Sequence, residues 1–237
     1  MQYLICFDMD RVLVDYMSTW QFVYDKLGIS NKEAFDLYNQ GKLDEWDWLK
    51  MDLALIKNTH KEITDEVLRD MCSDMPLMKG INECLEWVVS NDNEVAIISG
   101  GMQETAREIS MMFPTNTPWV RRWGGVNRHR GSDTKFHIFT NGWLEGNDGG
   151  IENYGRYQVQ MNGKGSIVKM LQRRLSIPKE RTISIGDSAG DINMFEESGL
   201  SICFNPWDEK PVSVADVTIR SKNLLDVLDA IKSYISQ

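Results

Sequence analysis

Basic residues are in deficit in this 237-residue chain, since 26 lysines and arginines stand against 35 aspartates and glutamates and the formal net charge is −9. An acidic surface repels nucleic-acid backbones and anionic bilayers, so the composition argues against nucleic-acid and membrane partners. One local cluster departs from this mean: Arg121, Arg122, Arg128, His129 and Arg130. A solvated loop face is the favoured interpretation, and a docking surface for an acidic partner or a polyanionic substrate is the alternative.

Cysteine and histidine are also scarce. The four cysteines form no C-x-x-C pair and three lie in apolar segments, so we expect buried free thiols in a reducing compartment. The three histidines show no metal-ligand spacing and receive no catalytic role. No apolar run approaches the length of a membrane span, and the first residues already have the pattern of a strand rather than of a basic leader. These absences predict a cytoplasmic protein.

Helical and strand patterns alternate along most of the chain, which predicts an α/β fold with a Rossmann-like parallel sheet flanked by helices. Two segments interrupt the alternation. Residues 15–76 offer four helical stripes and no convincing strand, and they predict a small inserted α-helical cap. Residues from about 114 to 163 are rich in glycine, asparagine and aromatic side chains and predict a β-rich excursion from the core. The core is then formed by residues 1–14 and 77–237.

The first chemical signal is Asp8-Met9-Asp10, directly after the apolar run over residues 3–7. Ligands of parallel sheets gather at the carboxyl ends of the strands, which is where these acids are expected. Residues two apart in a strand point the same way, so Asp8 and Asp10 would repel each other unless a cation joined them. A divalent metal is the natural counter-ion, and a simple turn at an exposed strand end is the alternative.

Three further polar sites stand where predicted strands or loops meet helices. Ser99 follows a strand and precedes two glycines, so its hydroxyl and the next backbone N–H groups could hold a phosphate oxygen or could merely cap a helix. Lys164 opens a predicted helix over residues 164–175, where the helix dipole disfavours a cation, although a surface lysine is also common there. Asp187 closes a strand, and Asp191 follows four residues later; one of these two acids could cap the next helix.

In this order the four sites resemble the four motifs of the haloacid dehalogenase superfamily of phosphohydrolases. The closer likeness is to the phosphoserine phosphatase branch, which carries a helical cap between its first and second motifs. The resemblance covers nearly the whole chain and is weakest from about residue 112 to 162. Dehalogenases proper are metal-independent and have no acid two residues after the nucleophile, whereas Asp10 is present here.

The resemblance implies a role for each acid. Asp8 would attack phosphorus and form an aspartyl-phosphate, and Asp10 would protonate the departing alkoxide and then deprotonate the attacking water. Mg²⁺ would be held by the Asp8 carboxylate, the Asp10 carbonyl and Asp187, with Asp191 close by or bound through water. Hard oxygen ligands suit that ion.

The remaining motif residues would bind the phosphoryl group. Ser99, the Gly100 amide and Lys164 would surround its oxygens and offset the charge that spreads over them. Lys164 would also shield Asp8 from repulsion by the incoming dianion. The substrate implied is a small phosphorylated metabolite.

Four positions depart from the family pattern. Arg11 stands where a small residue is usual, and we expect it to point to solvent rather than toward an anionic substrate. Phosphoserine phosphatases recognise their amino acid through a cap glutamate and a cap arginine, and alignment by eye places Met17 and Asp52 at those positions. Because these ionic groups are missing, phosphoserine itself is not predicted as the substrate. Gly190 replaces a usual asparagine in the fourth motif.

The predicted cap is rich in aromatic residues instead. Trp46 and Trp48 are two residues apart and cannot share a helix face, so at least one is expected to face the core or the active site. Packing is the default role for these residues and for Trp20. If one faces the site, a substrate with an apolar, sugar or quaternary-ammonium portion becomes a hypothesis.

The motifs together predict a Mg²⁺-dependent phosphatase that hydrolyses a small-metabolite phosphomonoester. One alternative is a phosphotransferase that passes the phosphoryl group to an acceptor hydroxyl. The other is a non-catalytic protein of the same fold that binds a phosphorylated ligand and regulates a partner. The oligomeric state is not predicted.

Overall fold

A seven-stranded sheet lies at the centre of the computed structural model, which describes residues 1–113 and 135–237. Its strand order is β4-β3-β2-β1-β5-β6-β7, and every neighbouring pair is parallel except β3 and β4. The strands are β1 (Leu4–Phe7), β2 (Glu94–Met102), β3 (Phe136–Glu145), β4 (Ile151–Arg156), β5 (Thr182–Gly186), β6 (Leu200–Phe204) and β7 (Val217–Ile219). The predicted α/β fold with a mainly parallel sheet is confirmed.

Ten α-helices accompany the sheet in the described residues. They are α1 (Thr19–Leu27), α2 (Lys32–Asn39), α3 (Glu45–Thr59), α4 (Asp65–Ser73), α5 (Ile81–Ser90), α6 (Gln103–Met111), α7 (Lys164–Leu175), α8 (Ile192–Phe195), α9 (Glu209–Val212) and α10 (Leu224–Ile235). Short 3-10 helices cover Lys179–Arg181 and Ala189–Asp191. None of the helices within residues 1–113 and 135–237 is both long enough and apolar enough to cross a bilayer.

The central strand β1 explains why the motif residues meet. Phe7, its last residue, is paired with Ile97 of β2 on one side and with Ile185 of β5 on the other. The ends of β1 and β5 therefore lie side by side at one edge of the sheet, next to the part of β2 that begins after Ile97.

Alternating side chains of β1 serve two separate apolar layers, because successive residues of a strand point to opposite faces. Ile5 and Phe7 face the layer that contains Leu85 of α5 and Leu228 of α10. Leu4 and Cys6 face a second layer with Val168 and Leu171 of α7. Burial on both faces accounts for the unbroken apolar run that the sequence shows.

Four helices, α1 to α4, lie between β1 and α5, where the sequence predicts the cap. Local signals set their ends: the Ser18 side chain accepts a hydrogen bond from the Gln21 amide at the start of α1, and Gly28 ends it with a φ of 65°. The apolar side chains of the cap helices also pack against residues of the sheet. Leu49 and Leu53 of α3 share a buried cluster with Met102, Trp143 and Ile151 of the β2–β4 region.

The segment predicted as an excursion contributes to the sheet itself. β3 pairs in parallel with β2, and only β4 turns back as an antiparallel partner of β3. The prediction of a segment outside the core is therefore wrong for β3, whose apolar residues were obscured by the surrounding glycines and asparagines. The first part of the predicted excursion, residues 114–134, and with it the basic cluster from Arg121 to Arg130, lie outside the described residues. The division of the chain into a core and a cap with the predicted boundaries stays a prediction.

Candidate active site

Lys164 is the first residue of α7 and is almost fully buried between two acids. Its Nζ lies 2.8 Å from Oδ1 of Asp8 and 2.6 Å from Oδ1 of Asp191. Burial alone would lower the pKa of Lys164, but the carboxylates of Asp191 and Asp8 outweigh it and raise that pKa. The lysine is thus held as a cation at the carboxyl edge of the sheet.

Asp191 is anchored through both of its oxygens. Oδ1 accepts from Lys164, and Oδ2 accepts from the backbone N–H groups of Asp187 at 2.9 Å and Ser188 at 3.1 Å. Gly186 makes room for this loop, because a Cβ there would lie 2.3 Å from the Asp191 side chain. The fourth motif is therefore a turn built around the Asp191 carboxylate.

Asp8, Asp187 and Asp191 form a buried group of acids that could hold a metal ion. One carboxylate oxygen from each lies within 4.8 Å of the others. Burial, followed by repulsion from Asp8 and Asp191, raises the pKa of Asp187 to about 8, and burial also raises the pKa of Asp8. Three clustered carboxylates with hard oxygen donors fit a divalent cation such as Mg²⁺, which would relieve this repulsion.

Asp10 lies beside the start of the cap. Its Oδ1 accepts a hydrogen bond of 2.8 Å from the backbone N–H of Thr19, and the Thr19 hydroxyl oxygen accepts one of 2.8 Å from the Met102 amide. Burial and the neighbouring Asp8 raise the pKa of Asp10 to about 7. A Cβ on Gly101 would lie 2.9 Å from Oδ2 of Asp10, so the second glycine after Ser99 is required by this close approach.

Thr19 is a hydrogen-bonding neighbour of Asp10 that the sequence analysis missed. The signal that could have revealed it is the helix start at Ser18-Thr19, because free N–H groups at a helix N-terminus attract carboxylates.

Ser99 and Gly100 lie within β2 rather than after it. The strand continues to Met102, with an irregular register between Ser99 and Met102, so the two glycines do not end it as predicted. The buried Ser99 hydroxyl oxygen accepts from the Gly101 amide at 3.1 Å, which leaves its proton for another acceptor. The Gly100 carbonyl accepts a hydrogen bond of 3.1 Å from Trp20 Nε1 of the cap.

Arg11 does not point to solvent, and that expectation is wrong. Its Nε lies 2.8 Å from Oδ2 of Asp187, and its Nη2 donates to the carbonyl of Asn205 at 3.0 Å. The guanidinium lies over the ring of Trp207, 5.0 Å from the centroid. These partners follow Arg11 by more than 170 positions in the sequence, and no local pattern signals the contact.

The two cap positions aligned with the amino-acid-binding residues have different surroundings. Met17 is exposed, whereas Asp52 is buried within the cap and bonded to Asn31, Tyr24 and Trp48. Burial raises the pKa of Asp52 to about 7, against the opposing hydrogen bonds from Tyr24 and Trp48. Asp52 therefore joins cap helices to each other.

The three cap tryptophans have three different environments. Trp48 packs against Tyr38, and Trp46 against Tyr157, with ring centroids 4.7 and 5.8 Å apart. Trp20 reaches the Ser99-Gly100 segment through its indole N–H. Of the three, Trp20 makes a hydrogen bond to a predicted site residue.

Known proteins resemble this chain in both sequence and fold. The family profile of haloacid dehalogenase-like hydrolases matches residues 159–231. Phosphoserine phosphatase of Wolinella succinogenes is 25% identical over 232 residues, covering 95% of this chain and 98% of the relative. That of Campylobacter jejuni subsp. doylei is 27% identical over 231 residues, covering 96% and 99%. The resemblance to haloacid dehalogenase-like hydrolases predicted from the motifs is confirmed by these similarities.

Both full-length relatives are phosphoserine phosphatases, so the likeness to the phosphoserine phosphatase branch predicted from the motifs is confirmed. A solved structure of a phospho-aspartyl intermediate analogue of phosphoserine phosphatase shows the same fold, with a TM-score of 0.73, 22% identity and coverage of 97% of this chain and 98% of that one. The relatives do not support the expectation against phosphoserine, which rested on Met17 and Asp52.

Proposed function

We propose that this haloacid dehalogenase-like hydrolase is a phosphatase that cleaves a small-metabolite phosphomonoester through an aspartyl-phosphate on Asp8. The observation that carries the proposal is the position of Lys164, which is buried between Asp8 and Asp191 at the edge where β1 and β5 end. Burying a cation and two carboxylates together carries a desolvation cost, and clusters of such buried ionisable groups are typical of functional sites.

In the first step an oxygen of Asp8 forms a bond to phosphorus while the bond from phosphorus to the ester oxygen breaks. Asp10 gives its proton to that departing oxygen, so that the products of this step are an alcohol and the aspartyl-phosphate. Burial, followed by repulsion from Asp8, raises the pKa of Asp10 to about 7, which favours the protonated form that a general acid requires.

In the second step a water molecule attacks phosphorus, and the bond to the Asp8 oxygen breaks. Asp10, now ionised, takes the proton of the water, which restores both acids and releases inorganic phosphate. The Thr19 amide fixes the carboxylate of Asp10 for both transfers.

The phosphoryl oxygens would contact Ser99, the Gly100 amide and Lys164. The oxygen of Ser99 accepts from the Gly101 amide, and its O–H would donate to a phosphoryl oxygen. Lys164 supplies positive charge beside Asp8, which offsets repulsion between the nucleophile and a dianionic substrate.

Mg²⁺ would be held by Asp8, the Asp10 carbonyl and Asp187. Because both oxygens of Asp191 already have partners, that residue supports Lys164 and the loop of Asp187 more readily than it binds the ion directly. When bound, the ion would neutralise the acids and polarise the phosphoryl group.

Phosphoserine is the substrate to test first, since full-length relatives carry that name. Met17 and Asp52 offer no evident ionic grip for its amino-acid part, so other small phosphomonoesters belong in the same panel. Recognition of phosphoserine by this chain would require polar groups other than these two.

The decisive experiment measures phosphate release from p-nitrophenyl phosphate and from the metabolite panel, with Mg²⁺ and with EDTA. We expect hydrolysis that EDTA abolishes and that Asp8→Asn reduces by at least about a thousandfold. Mass spectrometry of wild-type protein quenched in acid should show a phosphoryl adduct that is missing from Asp8→Asn. Activity that survives both EDTA and the substitution would overturn the mechanism.

A further inference from the structure

Arg11 adopts a backbone conformation that is unusual for an arginine. Its φ is 61°, in the left-handed region that favours glycine. A residue other than glycine keeps this backbone conformation only when its surroundings impose it. The contacts of the Arg11 side chain are therefore expected to stabilise this conformation.

Arg11 and Asn205 hold each other through reciprocal hydrogen bonds. Nη2 of Arg11 donates to the Asn205 carbonyl at 3.0 Å, and Nδ2 of Asn205 donates to the Arg11 carbonyl at 3.3 Å. Asn205 also has a positive φ, of 48°. Two residues with left-handed backbone conformations thus connect the loop after β1 to the loop after β6.

Trp207 contacts both Arg11 and Asp187. Its ring covers the guanidinium of Arg11, and its backbone N–H donates to the carbonyl of Asp187 at 2.8 Å. Trp207 is 57% exposed even with this contact in place. Stacking on an aromatic ring and a planar fork of donors fix the direction of an arginine more firmly than that of a lysine.

The guanidinium is thereby aimed at Oδ2 of Asp187, at 2.8 Å, and the Asp187 side chain is only 5% exposed. A divalent cation that binds this oxygen must share it with the guanidinium of Arg11, whose positive charge repels the ion. A cation that binds the other oxygen meets a carboxylate whose charge is already partly offset.

We propose that Arg11 is a positioning residue that holds Asp187 in place and competes with the divalent cation for its carboxylate. The proposal rests on the metal site of the proposed function. In the metal-free protein Arg11 and Lys164 together offset the acids Asp8, Asp187 and Asp191, so the site is stable before an ion arrives. The cost of this stability is weaker ion binding.

The test is Mg²⁺ binding measured by isothermal titration calorimetry in the absence of substrate. Arg11→Met, which removes the charge but keeps an unbranched side chain, should bind Mg²⁺ about fivefold or more tightly than wild type. Arg11→Lys should restore part of the wild-type weakness. Lys222→Met is the matched control, because Lys222 is a surface cation that pairs with Asp15, and its Mg²⁺ affinity should equal that of wild type.

Thermal unfolding provides a second readout that does not depend on calorimetric heats. In EDTA, Arg11→Met should melt at a lower temperature than wild type, and saturating Mg²⁺ should raise its melting temperature by more. Equal or weaker Mg²⁺ binding by Arg11→Met, with an equal rise in melting temperature, would overturn the proposal and leave the phosphatase mechanism intact. Conversely, full activity of Asp8→Asn would overturn the mechanism while a tighter Arg11→Met site still supported this inference.

Discussion

The indole Nε1 of Trp20 donates a hydrogen bond of 3.1 Å to the carbonyl oxygen of Gly100. Trp20 belongs to the first cap helix and Gly100 to the segment proposed to bind phosphate. The backbone of α1 adds a second link through the Thr19 amide and Asp10. The start of the cap therefore bears directly on two of the proposed site residues.

Replacement of Trp20 by phenylalanine removes this hydrogen bond and keeps an aromatic ring. Loss of one such bond is worth about 1 kcal/mol, so kcat/KM should fall by roughly fivefold. Steady-state kinetics on p-nitrophenyl phosphate would measure the effect. Trp46→Phe, on the partly exposed start of α3, should leave kcat/KM within error. An equal fall in kcat/KM for Trp20→Phe and Trp46→Phe would show that the hydrogen bond of Trp20 has no specific effect on activity.

Replacement of Lys164 by methionine should affect stability and activity together. The change leaves Asp8 and Asp191 buried without their shared cation, which should lower the free energy of unfolding by about 3–5 kcal/mol. Activity should fall by at least about a hundredfold. Denaturant melts and kinetics would measure both.

A control on the same helix separates charge from position. Lys169 also lies on α7, but it is 55% exposed and pairs with Glu197. Lys169→Met should change stability by less than about 1 kcal/mol and leave activity unchanged. If Lys164→Met behaved in the same way, the buried cation would not matter for either property.

The buried Asp52 should make stability depend on pH. Its pKa rises from 3.8 to about 7, so the folded state binds a proton more tightly than the unfolded state. The contribution of Asp52 to stability is thus largest below the unfolded pKa and is lost as pH rises through about 7, at about 1.4 kcal/mol per pH unit. Asp52→Asn should flatten this dependence.

Melting temperatures in EDTA between pH 5 and pH 8 would reveal the difference. The decline over this range should be smaller for Asp52→Asn than for wild type by several degrees. Asp47→Asn, at a half-exposed position of the same helix, should retain the wild-type slope. Parallel curves for Asp52→Asn and wild type would show that Asp52 does not titrate in this range.

A buried polar chain joins the cap to the core. Trp143 Nε1 of β3 donates to Asp65 of α4 at 2.7 Å, Asp65 also pairs with Arg69, and Arg69 lies 2.8 Å from Glu104 of α6. Trp143→Phe would leave one oxygen of Asp65 without its partner, at a cost of about 1–3 kcal/mol. In this variant, amide hydrogen exchange should increase more in α4 than in α5. Unchanged protection of α4 would contradict this link.

Local signals made much of the fold and the site predictable. The apolar run before Asp8 and the striped helix that begins at Lys164 depend on neighbours in sequence, and both elements lie where they were predicted. The motif residues come together if β1 lies between β2 and β5 and the three strands are parallel, and this arrangement is observed.

The errors concern contacts between distant parts of the chain. Arg11 pairs with Asp187 across 176 positions, and a solvent-facing side chain was the natural expectation from its neighbours alone. β3 joins the sheet through pairing with β2, which its own composition does not reveal. No prediction was made for the burial of Asp52, which depends on Tyr24 of α1 and on Asn31 just before α2.

The thiols have a practical consequence for experiments on this molecule. Cys6, Cys72, Cys84 and Cys203 are all buried and free, and burial raises the pKa of each. Native cysteines should therefore react slowly with maleimides. Cysteines introduced at the exposed positions Lys61, in the cap, and Arg174, in the core, could carry a fluorophore pair without prior removal of the native ones. Energy transfer between the dyes would then report the distance between positions 61 and 174 in single molecules with the natural interior intact.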